Sequence, residues 1–303
     1  MRAFRSLLIL LLVFLGSRAL LHTLPGDPLE TLLSETGTAV PRDLLRAQLG
    51  LDLPFWQSLF RDLKLAIQGD LGRSLLTQEA IAPQLPIRIA RTLTLTVASL
   101  TFGVAWACAL GLTAAASKNS ESRWLRNAAT LCQIGSAFAS ALPTVWLGPI
   151  LGLAFAVKLG WFSMSRDWVL PALTLGVSFS GSWSRLIRDR VSEILREPAA
   201  QAARARGVGE LRTLLKYGLA PASPAFVAYL GSQAGSLMAG AFVTEVIFDW
   251  AGMGSLLVDA VLQRDYPVVQ AAVFSAASFS ILGTWLGDWL QHRIDPRLRV
   301  ENS

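Results

Sequence analysis

The sequence predicts an all-α, polytopic membrane protein with six transmembrane helices, both termini cytoplasmic, and short amphipathic helices on the outer side. Three observations carry that expectation. First, 52% of the 303 residues are apolar and the mean hydropathy is strongly positive, which does not describe a soluble globule. Second, segments 6–24, 92–116, 128–157, 168–186, 225–248 and 268–290 reach or approach the about 20 apolar residues that cross roughly 30 Å of hydrocarbon. Third, the basic residues gather on one face. With 1–5, 117–127, 185–224 and 291–303 assigned to that face, it holds sixteen Lys and Arg against seven Asp and Glu. The short loops opposite carry only Lys158, Arg166 and Arg264. The positive-inside rule places the richer face in the cytoplasm. The net charge of +6 therefore reports topology and points to no nucleic-acid partner.

Three regions follow in order: a first transmembrane helix over 1–24, an extracytoplasmic segment over 25–91, and a five-span core over 92–303. Arg2 and Arg5 precede an apolar run that resumes after Arg18, with no small-x-small cleavage site, so an uncleaved span is expected rather than a signal peptide. Arg18 is expensive in lipid and should face protein or reach outward. Leu24-Pro-Gly-Asp-Pro28 is a turn that stops this span. The outer segment carries apolar residues at helical spacing around Arg42–Trp56 and Leu59–Ile67, which predicts two or three short amphipathic helices.

In the core, Gly103, Ala107 and Gly111 lie four apart, as do Ala172, Gly176, Ser180 and Ser184, while Gly148/Gly152 and Gly231/Gly235 form small-xxx-small pairs. Such faces let helices approach closely in lipid. Pro143 and Pro149 should tilt or kink the long segment 128–157. Trp161 and Trp168 suit an interfacial belt. After the fifth span, Glu245–Pro267 reads as an outer turn and an amphipathic helix.

The sequence excludes several chemistries. It has no Gly-x-x-x-x-Gly-Lys-Ser/Thr loop, hence no ATP site of that kind. His22 and His292 are its two histidines, at opposite ends. That leaves Gly176-Val-Ser-Phe-Ser-Gly181 without a base for serine hydrolysis. Cys108 and Cys132 have no metal-ligand spacing. No span pairs two carboxylates as an ion relay would. Neither a catalytic site, a metal nor a cofactor is expected.

What remains is the polar stretch Arg196–Pro221 within the cytoplasmic loop 187–224. Glu197-Pro198 reads as a helix start. Alanines 199, 200, 202, 203 and 205 favour the helix and give it a smooth surface, Gly207 ends it, and a second run from Glu210 to Leu219 leads to Pro221. A connector this long and ordered suggests a docking element for a soluble partner.

This stretch resembles the cytoplasmic loop of ATP-binding-cassette (ABC) importer permeases, whose pattern is Glu-Ala-Ala, three residues, Gly, nine residues, Ile-x-Leu-Pro. Gln201, Ala202, Ala203 and Gly207 fill the first part, and Tyr217 and Leu219 the isoleucine and leucine places. The sequence departs from the pattern at Gln201, in the glutamate place, and at Ala220, the proline following at Pro221. Further matches are similar to the oligopeptide/dipeptide/nickel branch. They are Leu24–Pro28, Gln48–Trp56, Gly69–Ser74, Ala203–Gly207, Trp250–Gly254, Arg264–Gln270 and Asp295–Arg299.

The resemblance implies a multi-pass subunit of a bacterial inner membrane, paired with a second homologous permease. It further implies two cytoplasmic ATPases, which bind the ATP, and an extracytoplasmic substrate-binding protein. The implied cargo is di- and oligopeptides, with nickel chelates, glutathione or another small solute as alternatives. A non-transporting scaffold or an intramembrane enzyme is the remote one. The implied coupling helix docks on an ATPase through Pro198, Ala199, Gln201, Ala202, Ala203, Arg204, Arg206 and Gly207.

Overall fold

The Pro-Gly-rich and alanine-rich punctuation translates into helices whose ends can be traced to single residues. The computed structural model describes residues 2–23, 54–117, 122–164 and 167–294. The expected turn at Leu24–Pro28, the run from Arg42 to Leu53 and the tail Asp295–Arg299 lie outside those residues. The described elements are α1 Arg2–Thr23, α2 Phe55–Ile67, α3 Leu85–Ser117, α4 Arg123–Ala141, α5 Thr144–Lys158 and α6 Val169–Ile194. After them come α7 Pro198–Ala205, α8 Glu210–Ser232, α9 Ala234–Ile247, α10 Met253–Leu262 and α11 Tyr266–Ile294. Among the described residues there is no strand, only an isolated bridge between Arg73 and Ala80.

Two of these helices, Leu85–Ser117 and Tyr266–Leu290, are long and apolar enough to cross a membrane by length and composition. A third joins them if the bent pair Glu210–Ser232 and Gly235–Ile247, which turns through 56°, is one span. α6 has the length, but five serines and the Arg185–Arg190 cluster lower its hydropathy.

The long segment 128–157 is interrupted at Pro143, one of the two prolines expected to tilt or kink it. Leu142 is extended (φ −80°, ψ 118°) and separates α4 from α5, because the ring of Pro143 pushes the preceding residue out of the helical region. One expectation needs correction: the helical run from Glu210 does not stop at Pro221. It opens into a π-helical stretch over Thr213–Leu219, with the Ala220 N–H on the Leu215 carbonyl, and continues through the proline to Ser232. Proline cannot bond to the carbonyl four residues back and clashes with it, and the wider turn lies directly ahead of that obstacle. α5 also ends in a π-stretch, Gly152–Lys158.

The described residues form two compact units. One draws on 1–92 and 251–281. In it Arg18 of α1 meets Asp62 of α2 at 3.3 Å, which answers its cost in lipid, and Phe14 meets Phe274 edge-on at 5.9 Å. Residues 69–84 form a turn anchored on the buried Asp265. This carboxylate accepts the Ser74 O–H at 2.5 Å and the Leu75 N–H at 3.1 Å. The Met253 N–H at the start of α10 is held by the Thr92 hydroxyl at 2.8 Å.

The other unit draws on 93–250 and 282–303. Its core gathers Leu95, Ala107, Leu175, Trp183, Ile187, Val191 and Leu214. The small faces expected from the sequence lie at its contacts. A Cβ on Gly103 would come within 3.0 Å of the Gly176 carbonyl, and one on Gly111 within 2.7 Å of the Ser184 carbonyl, so α3 lies directly on α6. Gly181 of α6 leaves no room for a side chain beside Ser136 and Ser140 of α4. Gly231 of α8 meets Gly287 of α11, where a Cβ would fall 2.6 Å from the opposing Cα. The outward side of α4 and α5 shows Leu131, Phe138 and Trp146, all more than half exposed, an apolar surface suited to lipid or to another apolar helix.

Candidate functional site: the α6–α8 loop

α7 is built from local rules and then fastened to its own unit. Glu197 is extended (φ −69°, ψ 153°) and Pro198 occupies the first helical position, where its missing N–H breaks no bond. At the other end Gly207 takes φ +79°. The Val208 N–H reaches the Ala203 carbonyl at 3.1 Å and the Gly207 N–H the Arg204 carbonyl at 2.9 Å. These two bonds are the Schellman closure. A side chain on Gly207 would meet nothing within 4 Å, so glycine is required there by backbone conformation alone.

The eight residues have two faces. Ala200 and Ala203 are buried, 1% and 0% exposed, and Ala200 joins Val191, Leu195 and Leu214 in the core. Ala199, Gln201, Ala202, Ala205 and Arg206 point outward. Of the residues expected to dock, then, Ala203 faces its own unit. Pro198, Ala199, Gln201, Ala202, Arg206 and Gly207 are accessible, and Arg204 is half-buried.

Polar bonds hold this geometry from the sides. The Gln201 amide donates to the Arg196 carbonyl at 2.9 Å. A glutamate in that place has no proton to give, so the departure from the family pattern adds an anchor. Arg204 forms a two-pronged pair with Glu210, 3.1 and 3.4 Å, and also reaches the Leu195 carbonyl at 3.4 Å. Thr213, fully buried, donates to the Val208 carbonyl at 3.3 Å. Gly218, in the π-stretch, lets α8 close on α6: a Cβ would lie 3.0 Å from Val191 and 3.2 Å from Leu195.

The serines singled out in the sequence are engaged within their own helix. Ser178 and Ser180 donate to the Thr174 and Val177 carbonyls of their own helix. Among the described residues no three His, Cys, Asp or Glu side chains converge to hold a metal ion.

Residues 107–300 match the family of binding-protein-dependent transport system inner membrane components. The chain is 36% identical over 286 residues to the glutathione transport system permease protein GsiC of Escherichia coli O6:H1 (strain CFT073), covering 92% of this chain and 91% of that one. The same identity and coverage hold for the protein of that name from Escherichia coli K12. For that of Salmonella paratyphi A the identity is 36% over 301 residues, 97% and 95% of the two chains.

The chain is an ABC importer permease of the oligopeptide/dipeptide/nickel family.

In this permease the sequence located α7 and both of its ends. Reasoning from the sequence did not find the fastening: Glu210, Thr213, Leu195 and Gly218. Glu210 alone had a local signal, since Gly209-Glu210 begins α8 six residues after Arg204 and within reach of a folded-back guanidinium. Thr213 and Gly218 carry no such signal, because their roles depend on how α8 packs on α6.

Proposed function

We propose that the permease is a six-span subunit with cytoplasmic termini in a bacterial inner membrane, and that α7 is its coupling helix. The supporting observation is the division of α7 into a buried face, Ala200 and Ala203, and an exposed face, Ala199, Gln201, Ala202 and Arg206. A short helix fastened on one side and bare on the other can transmit a push without deforming. The basic residues on and around it support cytoplasmic placement.

The proposed assembly has a second homologous permease, two ATPases that carry the ATP, and an extracytoplasmic binding protein. The permease itself does no chemistry and holds no cofactor. ATP binding closes the ATPase pair, the movement passes through α7 into α6 and α8, and the bundle exchanges inward for outward access. ATP can drive that exchange only by favouring one conformation over the other. The proposed cargo is short peptides. Glutathione, the cargo named for its relatives, is itself a tripeptide, which supports peptides over nickel chelates.

The test is uptake by the whole complex, reconstituted with the proteins encoded beside it. Di- and tripeptides or glutathione should be taken up with ATP and stimulate hydrolysis. Nickel chelates alone, or no transport with all partners present, would overturn the cargo or the transport reading respectively. Ala202→Cys should crosslink to an ATPase; a crosslink to the binding protein instead would refute the coupling assignment.

A further inference from the structure

α2 turns two large aromatic side chains away from the unit that holds it. Trp56 is 64% exposed and Phe60 68%, whereas Ser58 and Leu59 are buried. Trp56, Gln57, Phe60 and Lys64 are all exposed, and helical periodicity gathers them within an arc of about 100°, a single face. Asp62 lies on the other side of the helix. There it meets the Arg18 guanidinium of α1 at 3.3 Å, the two side chains 21% and 13% exposed.

That tie sets a depth. In the six-span topology proposed above, on which this inference rests, α1 runs outward and α11 inward. Arg18 precedes Thr23, the last residue of α1, by about 8 Å along the helix axis. Its side chain leaves the helix toward the N-terminus, so it reaches outward by less than its full length. α2 is therefore held where α1 leaves the hydrocarbon, not above it in solvent. A second contact checks the count. Phe14 of α1 meets Phe274 of α11; the first lies about 14 Å from the end of α1 and the second about 12 Å from the start of α11. The outer ends of the two helices are thus level to within a turn.

We propose that α2 is an interfacial anchor whose Trp56–Phe60–Lys64 face lies in the outer leaflet, with phospholipid as its occupant. Depth and chemistry agree on that occupant. Tryptophan is favoured where hydrocarbon meets headgroups, and a helix lying in that zone buries its apolar face about 5–10 Å into the acyl boundary. Lys64 follows Phe60 by one turn. Its stem can lie along the acyl chains while its ammonium stays among the phosphates, a match of charge that an aromatic face alone does not offer. α2 leads through Gly69 into the turn held by Asp265, so lipid contact at α2 sets the height of that turn over the membrane.

The test tells lipid, water and protein apart. The full complex is placed in nanodiscs of phosphatidylethanolamine and phosphatidylglycerol, with the two cysteines of the chain removed by Cys108→Ala and Cys132→Ala. A nitroxide is attached at Phe60→Cys or, separately, at Trp56→Cys. Its accessibility to oxygen, which concentrates in hydrocarbon, is compared with that to water-soluble chromium oxalate. The oxygen-to-chromium ratio should be several-fold higher at either position than at Gln68→Cys, an exposed residue just past the helix. A ratio no higher than at Gln68→Cys means water and overturns the anchor. Low access to both reagents means cover by protein, the binding protein included, and overturns it equally. Gln68→Cys is also treated with a membrane-impermeant maleimide in intact spheroplasts. Labelling from outside supports the outer placement. Labelling only after lysis overturns the topology and the outer leaflet with it, whereas outside labelling with a low ratio at Phe60→Cys and Trp56→Cys overturns the anchor alone.

Discussion

Arg204 reaches beyond the end of its own helix to Glu210, with Nε 3.1 Å from one carboxylate oxygen and Nη2 3.4 Å from the other. The pair ties α7 to the start of α8 across the turn at Gly207–Gly209. Glu210 is 75% exposed and Arg204 26%, so its thermodynamic worth is small, about 0.2–1 kcal/mol. Glu210→Ala should therefore leave the melting temperature of the complex almost unchanged. Its effect should appear as fewer substrate molecules taken up per ATP hydrolysed, measured in proteoliposomes, and high salt should reproduce part of it in the unmodified protein.

Gly207 offers a test of conformation without crowding. Its φ of +79° costs a β-branched residue roughly 1–2 kcal/mol, and no neighbour lies within 4 Å of an added Cβ. Gly207→Val should fray the end of α7 and reduce the amount of ATPase that co-purifies. Gly207→Asn, which tolerates the left-handed region, should retain most of it.

The two faces of α7 let folding be tested apart from the proposed docking. Ala203 is fully buried, so Ala203→Arg should lower the yield and stability of the inserted permease itself, by about 1–3 kcal/mol or more for the overpacked side chain. Ala202 is exposed. Ala202→Arg should leave insertion and melting temperature unchanged while displacing the ATPases, measured by size-exclusion chromatography of the purified complex.

At the contact of Gly231 with Gly287, backbone meets backbone, and the opposing Cα would be 2.6 Å from a new methyl. Gly231→Ala should destabilise by about 1–3 kcal/mol, read as earlier thermal unfolding in detergent. Gly135→Ala is the control. Gly135 lies within α4 with nothing within 4 Å of its added Cβ, and the change should be neutral or stabilising by up to about 1 kcal/mol.

Asp265 holds residues 74 and 75 through two bonds while only 4% exposed. Asp265→Ala leaves a buried hydroxyl and N–H without their acceptor, at about 1–3 kcal/mol. Limited proteolysis should then cut between Gly69 and Gln84 faster than in the unmodified protein.

The sequence made visible what repeats at helical period or ends in a special residue. The Gly103–Ala107–Gly111 face lies on α6 as its spacing required, Arg18 found protein in the form of Asp62, and Pro198 and Gly207 mark the ends of α7. Pro143 interrupts 128–157 as expected, its effect falling on Leu142, but Pro221 was read less well. Pro221 stops nothing, because the seven-residue π-stretch Thr213–Leu219 ahead of it can absorb what an α-turn cannot. Whether a helix widens around a proline depends on what presses on it, here Val191 and Leu195 against Gly218, and that pressure is tertiary. The same holds for Arg185: the sequence shows an arginine near the end of a span, and only the packing of α4 on α6 brings the Ser140 hydroxyl to 3.3 Å from it.

The closure of α7 at both ends by its own backbone has a consequence for how the transporter comes together. The proline start, the Gly207 turn and the Gln201 and Arg204 ties leave nothing for a partner to complete. Surfaces that order only on contact lose entropy at the moment of binding; this one is finished beforehand. On the coupling role proposed for α7, ATPases could arrive, leave and be replaced without the loop refolding each time.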